Sequence, residues 1–205
     1  MSKITKVIAR QVFDSRGNPT VEAEVFSQNL SASSICPSGA STGTFEAYEK
    51  RDINRKDYKG KSVFNAVKTI NIIIAKKLKN QKVHDQEKID HILLKLDGTK
   101  QKTKLGANSM LAVSMAVKKL SSKIKKIPLY KNFLIKKNFS LPYPLMNIIN
   151  GGVHANNGLQ IQEFMIRPDG ARSFAQAVKM CFLVISNLRK ILKNMNLSTA
   201  VGDEG

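Results

Sequence analysis

The chain has 205 residues, of which 42% are hydrophobic, enough to bury a core in one or two domains. Its 34 lysines and arginines against 15 aspartates and glutamates leave a formal charge of +19, an excess that ordinarily points to nucleic acid or an acidic membrane surface. Here the lysines are scattered through helix-like segments and short pairs such as Lys118-Lys119 and Lys125-Lys126 with little aromatic interleaving, so a solvated basic surface is the more economical reading and nucleic acid is not an expected partner.

The opening MSKITKVIARQVF is basic but has no apolar central run, so it does not read as a signal peptide. Apolar runs such as Ile72–Ala75 are far too short to span a bilayer. Cys36 and Cys181 stand far apart in apolar contexts without CxxC or Cys/His spacing. They read as buried free thiols of a reducing compartment, and the expected location is the cytoplasm.

In chain order, residues 3–14 and 19–28 read as two strands joined by the breaker-rich turn Ser15-Arg16-Gly17-Asn18-Pro19. Val21, Ala23 and Val25 alternate with Thr20, Glu22 and Glu24, which predicts one buried and one wet face. Arg10 and Glu22 belong to the wet side. Ala32–Cys36 would be a third strand, ended by Pro37. Pro37–Gly43 combines proline, two glycines and small residues, so it reads as a loop; taken alone, its Ser41 is a turn former.

Three helices follow. Ser62–Leu78 carries Val63, Val67, Ile70, Ile74 and Leu78 at helical spacing. Asp85–Leu96 opens on an N-cap candidate, places Ile89, Ile92, Leu93 and Leu96 on one face, and meets Gly98 just past its end. Asn108–Ile124 sets Met110, Val113, Val117, Leu120 and Ile124 in a stripe, with Lys118, Ser122 and Lys125 on another side. Strands followed by helices make an α+β layer, so residues 1–135 read as a self-contained capping domain with a three-stranded antiparallel sheet.

Leu141-Pro142-Tyr143-Pro144 then reads as a rigid linker into a second domain, 141–205. It offers a strand at 144–149, a polar loop, a strand at about 162–166, and a long helix. Ser173 and Gln176 open that helix as a capping-box pair, with Phe174, Val178, Cys181, Ile185, Leu188 and Leu192 as its apolar face. Ser198–Val201 could begin a third strand, leaving Gly202-Asp203-Glu204-Gly205 as another polar tip. The loop itself runs Asn150-Gly151-Gly152, then a tip from His154 to Gly158, then Gln162-Glu163-Phe164. An imidazole, an amide and a carboxylate leaving strand ends over one loop are how sites are mounted on barrels and α/β sheets. From spacing alone, a hairpin with an ordinary surface His and Glu accounts for the stretch equally well.

The wording of that stretch separates the two readings. MNIINGGVHANNGLQIQEFM resembles the enolase family, and four further stretches resemble it in the same order: FDSRGNPTVEAEV at 13–25, PSGASTG at 37–43, LDGT with KLGANSMLAVS at 96–114, and VGDEG at 201–205. The resemblance runs from end to end and implies a capping domain followed by the first part of a TIM-like α/β barrel. It implies a lyase that reversibly dehydrates 2-phosphoglycerate to phosphoenolpyruvate with Mg2+, acting as a homodimer that Arg10 and Glu22 help to join.

Carried over motif by motif, the resemblance makes Glu204 the acid assisting hydroxide loss and Glu163 its nearby catalytic partner. Two close carboxylates push their proton affinities apart, so one can be protonated near neutral pH. His154 and Gln162 become substrate-binding residues. Ser41 becomes both a substrate contact and an oxygen ligand of a second Mg2+, an ion that suits hard oxygen donors. All these tips are expected around one hollow, His154, Glu163 and Glu204 on one side and the Ser41 loop on the other. The family's lysine base and its first-Mg2+ carboxylates have no counterpart among these residues. The chain is therefore expected to end inside the family pattern and to be inactive by itself. A non-catalytic remnant, or one part of a split enzyme acting as an interaction module, is the alternative.

Overall fold

Alternating side chains build the first sheet. In the computed structural model, which describes residues 2–39, 42–133 and 140–201, strands β1 (Lys6–Phe13), β2 (Pro19–Ser27) and β3 (Leu30–Cys36) form an antiparallel sheet in the order β1-β2-β3. Val7 faces Val25 and Ala9 faces Ala23 across β1 and β2, and these four residues with Val21 are buried. The intervening Glu22 and Glu24 take the opposite face, where Arg10 lies directly across from Glu22. Its guanidinium donates to Glu22 at 3.0 Å and to Glu24 at 2.6 Å. The sequence pattern predicts the buried face and the two glutamates of the other; Thr20, expected beside them on the wet face, is instead buried at the start of β2, where its hydroxyl donates to Cys36 C=O at 2.7 Å.

The helices cover the buried face. Residues 64–78 form one continuous helical run, α1 (Phe64–Lys68), a π-helical segment (Thr69–Ile74) and α2 (Ala75–Leu78). A plain helix was expected; the wider segment escapes a periodicity search because Ile70-Asn71-Ile72-Ile73-Ile74-Ala75 is nearly all apolar. It turns Asn71 toward β1, where the side-chain amide accepts from Ala9 N–H at 2.7 Å and donates to Ala9 C=O at 3.1 Å. That satisfies both backbone groups on an edge strand.

Helix α3 (Gln86–Asp97) starts where expected. The Asp85 carboxylate accepts from Lys88 N–H at 3.2 Å, and Gly98 closes the helix at φ +71°. Helix α4 (Ala107–Lys125) packs on β2 and β3 with Val113, Val117 and Leu120 fully buried. Ser122, expected on the outer side, is buried, and its hydroxyl donates to Lys118 C=O at 3.1 Å; the helix buries a wider face than its apolar stripe. Lys119 and Lys123 reach over β3, donating to the carbonyls of Ser33 (3.2 Å) and Ser31 (3.0 Å). A short helix, α5 (Leu129–Phe133), follows. These elements fall in one compact unit, Met1–Ile135, with a single core; Lys136–Gly205 is the other unit.

In the second unit, β4 (Met146–Asn150) and β5 (Glu163–Ile166) pair antiparallel, with Asn150 opposite Glu163 and an irregularity between Asn147 and Ile149. Helix α6 (Phe174–Asn194) begins at Ser173, whose hydroxyl accepts from Gln176 N–H at 3.2 Å. The return bond of the expected capping box lands one residue early, from Arg172 N–H to Gln176 Oε1 at 2.7 Å. The helix ends in a left-handed Asn196 (φ +57°), with Leu197 N–H bonded to Leu192 C=O. The expected strand at 198–201 does not form among the described residues. Ala200 N–H bonds instead to the Ser198 hydroxyl, a local turn that competes with pairing. The apolar face of α6 is only partly covered within this unit: Ala177 and Cys181 are buried, while Phe174 and Val178 stay exposed.

Candidate functional site

A loop that folds back on its own backbone carries the site. Gly151 N–H bonds to Gln162 C=O at 2.9 Å and Gly152 N–H to Leu159 C=O at 2.8 Å, so residues 151–162 close like a clasp beyond the ends of β4 and β5. A side chain at Gly151 would run into the Ile161 carbonyl and Leu159, which is why the chain needs glycine there. The buried Asn150 anchors the clasp: its carbonyl accepts from the Asn157 amide at 2.9 Å, and its side chain accepts from Asn147. Asn157 Oδ1 in turn accepts from Leu159 N–H at 3.0 Å.

The clasp brings three of the expected residues together. His154 ends the short 3-10 turn Gly152–His154. Gln162 Nε2 lies 2.7 Å from His154 Nε2, and Glu163 Oε1 lies 3.4 Å from His154 Nδ1. An amide nitrogen donating to Nε2 pairs with the tautomer that carries its proton on Nδ1, the nitrogen on the side of the carboxylate. His154 and Glu163 are half-buried and Gln162 is exposed. A carboxylate, an imidazole and an amide within one hydrogen-bonded set can hold an oxyanion, orient it, and exchange a proton with it. The same unit has a concavity of about 270 Å3 lined by Leu141, Tyr143, Arg172 and Phe174 among others; the three residues are not part of its lining.

Ser41 and Glu204, the remaining expected site residues, lie outside the described residues. Ser38, three residues before Ser41, is held by three side chains. Ser38 Oγ donates to Glu49 at 2.6 Å and accepts from Arg51 at 2.5 Å, and its carbonyl accepts from Arg16 at 2.7 Å. Sequence reasoning quoted Arg16 within a motif but gave it no role, and it passed over Glu49 and Arg51; two arginines flanking a glycine- and serine-rich loop were the available signal. Cys36 is half-buried rather than buried, and burial, aided by Glu49, pushes its thiol up to about 11. Among the described residues no three His, Cys, Asp or Glu side chains group as a metal site. One carboxylate, one amide and one imidazole do not make the oxygen shell that Mg2+ requires.

Against known proteins, residues 4–133 match the enolase N-terminal domain and residues 138–205 match the enolase C-terminal TIM barrel domain. The chain belongs to the enolase family. It is 68% identical over all of its 205 residues to the enolase of Pelagibacter ubique and spans about half the length, 49%, of that curated relative. The antiparallel sheet with its helices is thus the enolase N-terminal domain, and β4, β5 and α6 are the start of the enolase barrel domain. Among the described residues, no helix is long and apolar enough to cross a membrane.

Proposed function

We propose that these residues supply the lid and the acid-side half of an enolase site, acting in the reversible dehydration of 2-phosphoglycerate to phosphoenolpyruvate in the cytoplasm. The observation that supports it is the His154–Gln162–Glu163 set, closed by the 151–162 clasp, on a chain whose two parts match the two enolase domains in order. Loss of a β-hydroxyl requires an acid to protonate the leaving group, and an anionic substrate requires donors for its oxygens. In this reading Glu204 is the acid and Glu163, held beside His154, keeps the protonation pattern or the leaving water in place. His154 and Gln162 bind substrate oxygens, and Ser41 closes over them. Mg2+ is the proposed cofactor, with Ser41 giving an oxygen to the second ion. When bound, the metal supplies positive charge to the substrate carboxylate. A homodimer using the Arg10 and Glu22 face is the proposed assembly.

The 205-residue polypeptide assayed alone with 2-phosphoglycerate and Mg2+ is expected to give no rise in phosphoenolpyruvate absorbance, because no lysine base or first-metal carboxylates are assigned among its residues. A chimera in which these residues replace the matching half of the Pelagibacter ubique enolase is expected to turn over. An inactive but folded chimera would favour the alternative, a non-catalytic interaction module.

A further inference from the structure

The capping unit has a depression of about 220 Å3 lined by Lys50, Asn65, Lys68, Thr69, Ile72 and Ile73. Its floor comes from the π-helical segment Thr69–Ile74. Within that segment Ile70 and Ile74 are fully buried, whereas Ile72 and Ile73 are 58% and 42% exposed. Such segments often mark functional positions in helices. Two lysines, Lys50 and Lys68, are among its lining residues, and no carboxylate lines it.

Lys68 makes no ion pair or hydrogen bond among the described residues, and neither does the Asn65 side-chain amide. Lys50 donates one proton to Lys104 C=O at 2.6 Å, leaving two of its three donors. The buried Thr69 hydroxyl gives its proton to Asn65 C=O at 2.8 Å and keeps acceptor capacity. Helical residues 64–78 carry no acid, and Asp52, which meets the start of that run, is buried and already accepts from the Ser62 hydroxyl and from the Phe64 and Asn65 N–H groups, so it does not compete for the lysines.

We propose that this depression is a binding site for a small phosphate monoester with an apolar body, its dianion set between Lys50 and Lys68 and its carbon skeleton on Ile72 and Ile73. Two point-charge cations match a dianion, and lysine binds phosphate in this way. The volume lies below that of pockets for drug-sized ligands, which limits the occupant to roughly ten non-hydrogen atoms. None of its lining residues has a part in the proposed dehydration chemistry.

Titration of the 15N-labelled 205-residue chain with phenyl phosphate, followed by amide chemical shifts, tests it. Saturable shifts centred on Asn65, Lys68, Thr69, Ile72 and Ile73 are expected, and equal concentrations of phenol should leave them unmoved. Lys68→Gln should weaken binding about tenfold, the worth of one charge-assisted hydrogen bond. Lys76→Gln, the same charge change on the exposed side of α2, should leave affinity within about twofold. Shifts that fail to saturate, that spread evenly over all lysine-bearing surfaces, that phenol reproduces, or that Lys76→Gln reduces as much as Lys68→Gln would overturn the assignment.

Discussion

Asp97 shows how much one side chain holds. Its carboxylate is 2% exposed and accepts from Leu105 N–H at 2.7 Å and from the Thr99 N–H and hydroxyl. Burial alone would raise its pKa, but these three donors outweigh burial and hold it below the usual aspartate value. The folded pKa therefore lies under the unfolded one. Its stabilisation is present above the ordinary aspartate range and is lost as pH falls below about 4. Asp97→Ala should cost about 2 kcal/mol at neutral pH, because Leu105 N–H loses its acceptor inside the protein. Asp97→Asn should flatten the acid limb of a denaturation-versus-pH series; an unchanged acid limb would contradict this role. The motif LDGT drew attention to these residues as family wording, yet nothing in their spacing revealed a carboxylate closing the 97–105 loop. The same holds for Arg16 and Arg51, whose partner Ser38 becomes their neighbour only through the sheet. That His154, Gln162 and Glu163 come together was legible because they lie close in sequence across one loop; the roles proposed for them come from the family wording.

Helices and strands were legible where burial falls on one side. Alternation found the buried face of β2, and three- and four-residue steps found the stripe of α4. Leu120 is fully buried in that stripe and Leu111, on the same helix, is 51% exposed. Leu120→Ala should destabilise the chain by about 3 kcal/mol, and Leu111→Ala by no more than about 0.5, in urea unfolding midpoints. Equal effects would mean that α4 packs by another face. The π-helical segment was not legible, since a nearly unbroken apolar run carries no phase. The strand expected at 198–201 failed for a different reason. Propensity permits a strand, but pairing requires a neighbour, and Ser198 offers its backbone a local bond instead. In α6 the apolar residues were identified, while the sequence could not say what covers them.

At the scale of the molecule, the two units differ in how completely each is sealed by its own residues. The first has a continuous core from Ile4 to Leu120 covered by helices on one face of its sheet. In the second, α6 buries only Ala177 and Cys181 of its apolar residues, and Phe182, at 65% exposure, lies on the same helix. Local opening free energy follows buried apolar contact. Amides of β2 and α4 should therefore exchange slower than those of α6 by on the order of a hundredfold or more in the isolated chain. Matching rates would show that the second unit is sealed after all. The end-to-end family wording made the order of the two domains legible from the start, since it spans both. The proposed function requires Glu163 to act on substrate rather than merely brace His154. The most direct measurement is kcat for phosphoenolpyruvate formation, with Mg2+ and saturating 2-phosphoglycerate, by the chimeric enolase carrying these 205 residues, before and after Glu163→Gln. A fall in kcat of about a hundredfold or more in a chimera with an unchanged melting temperature is the predicted result. A kcat within about threefold of the unsubstituted chimera would contradict it.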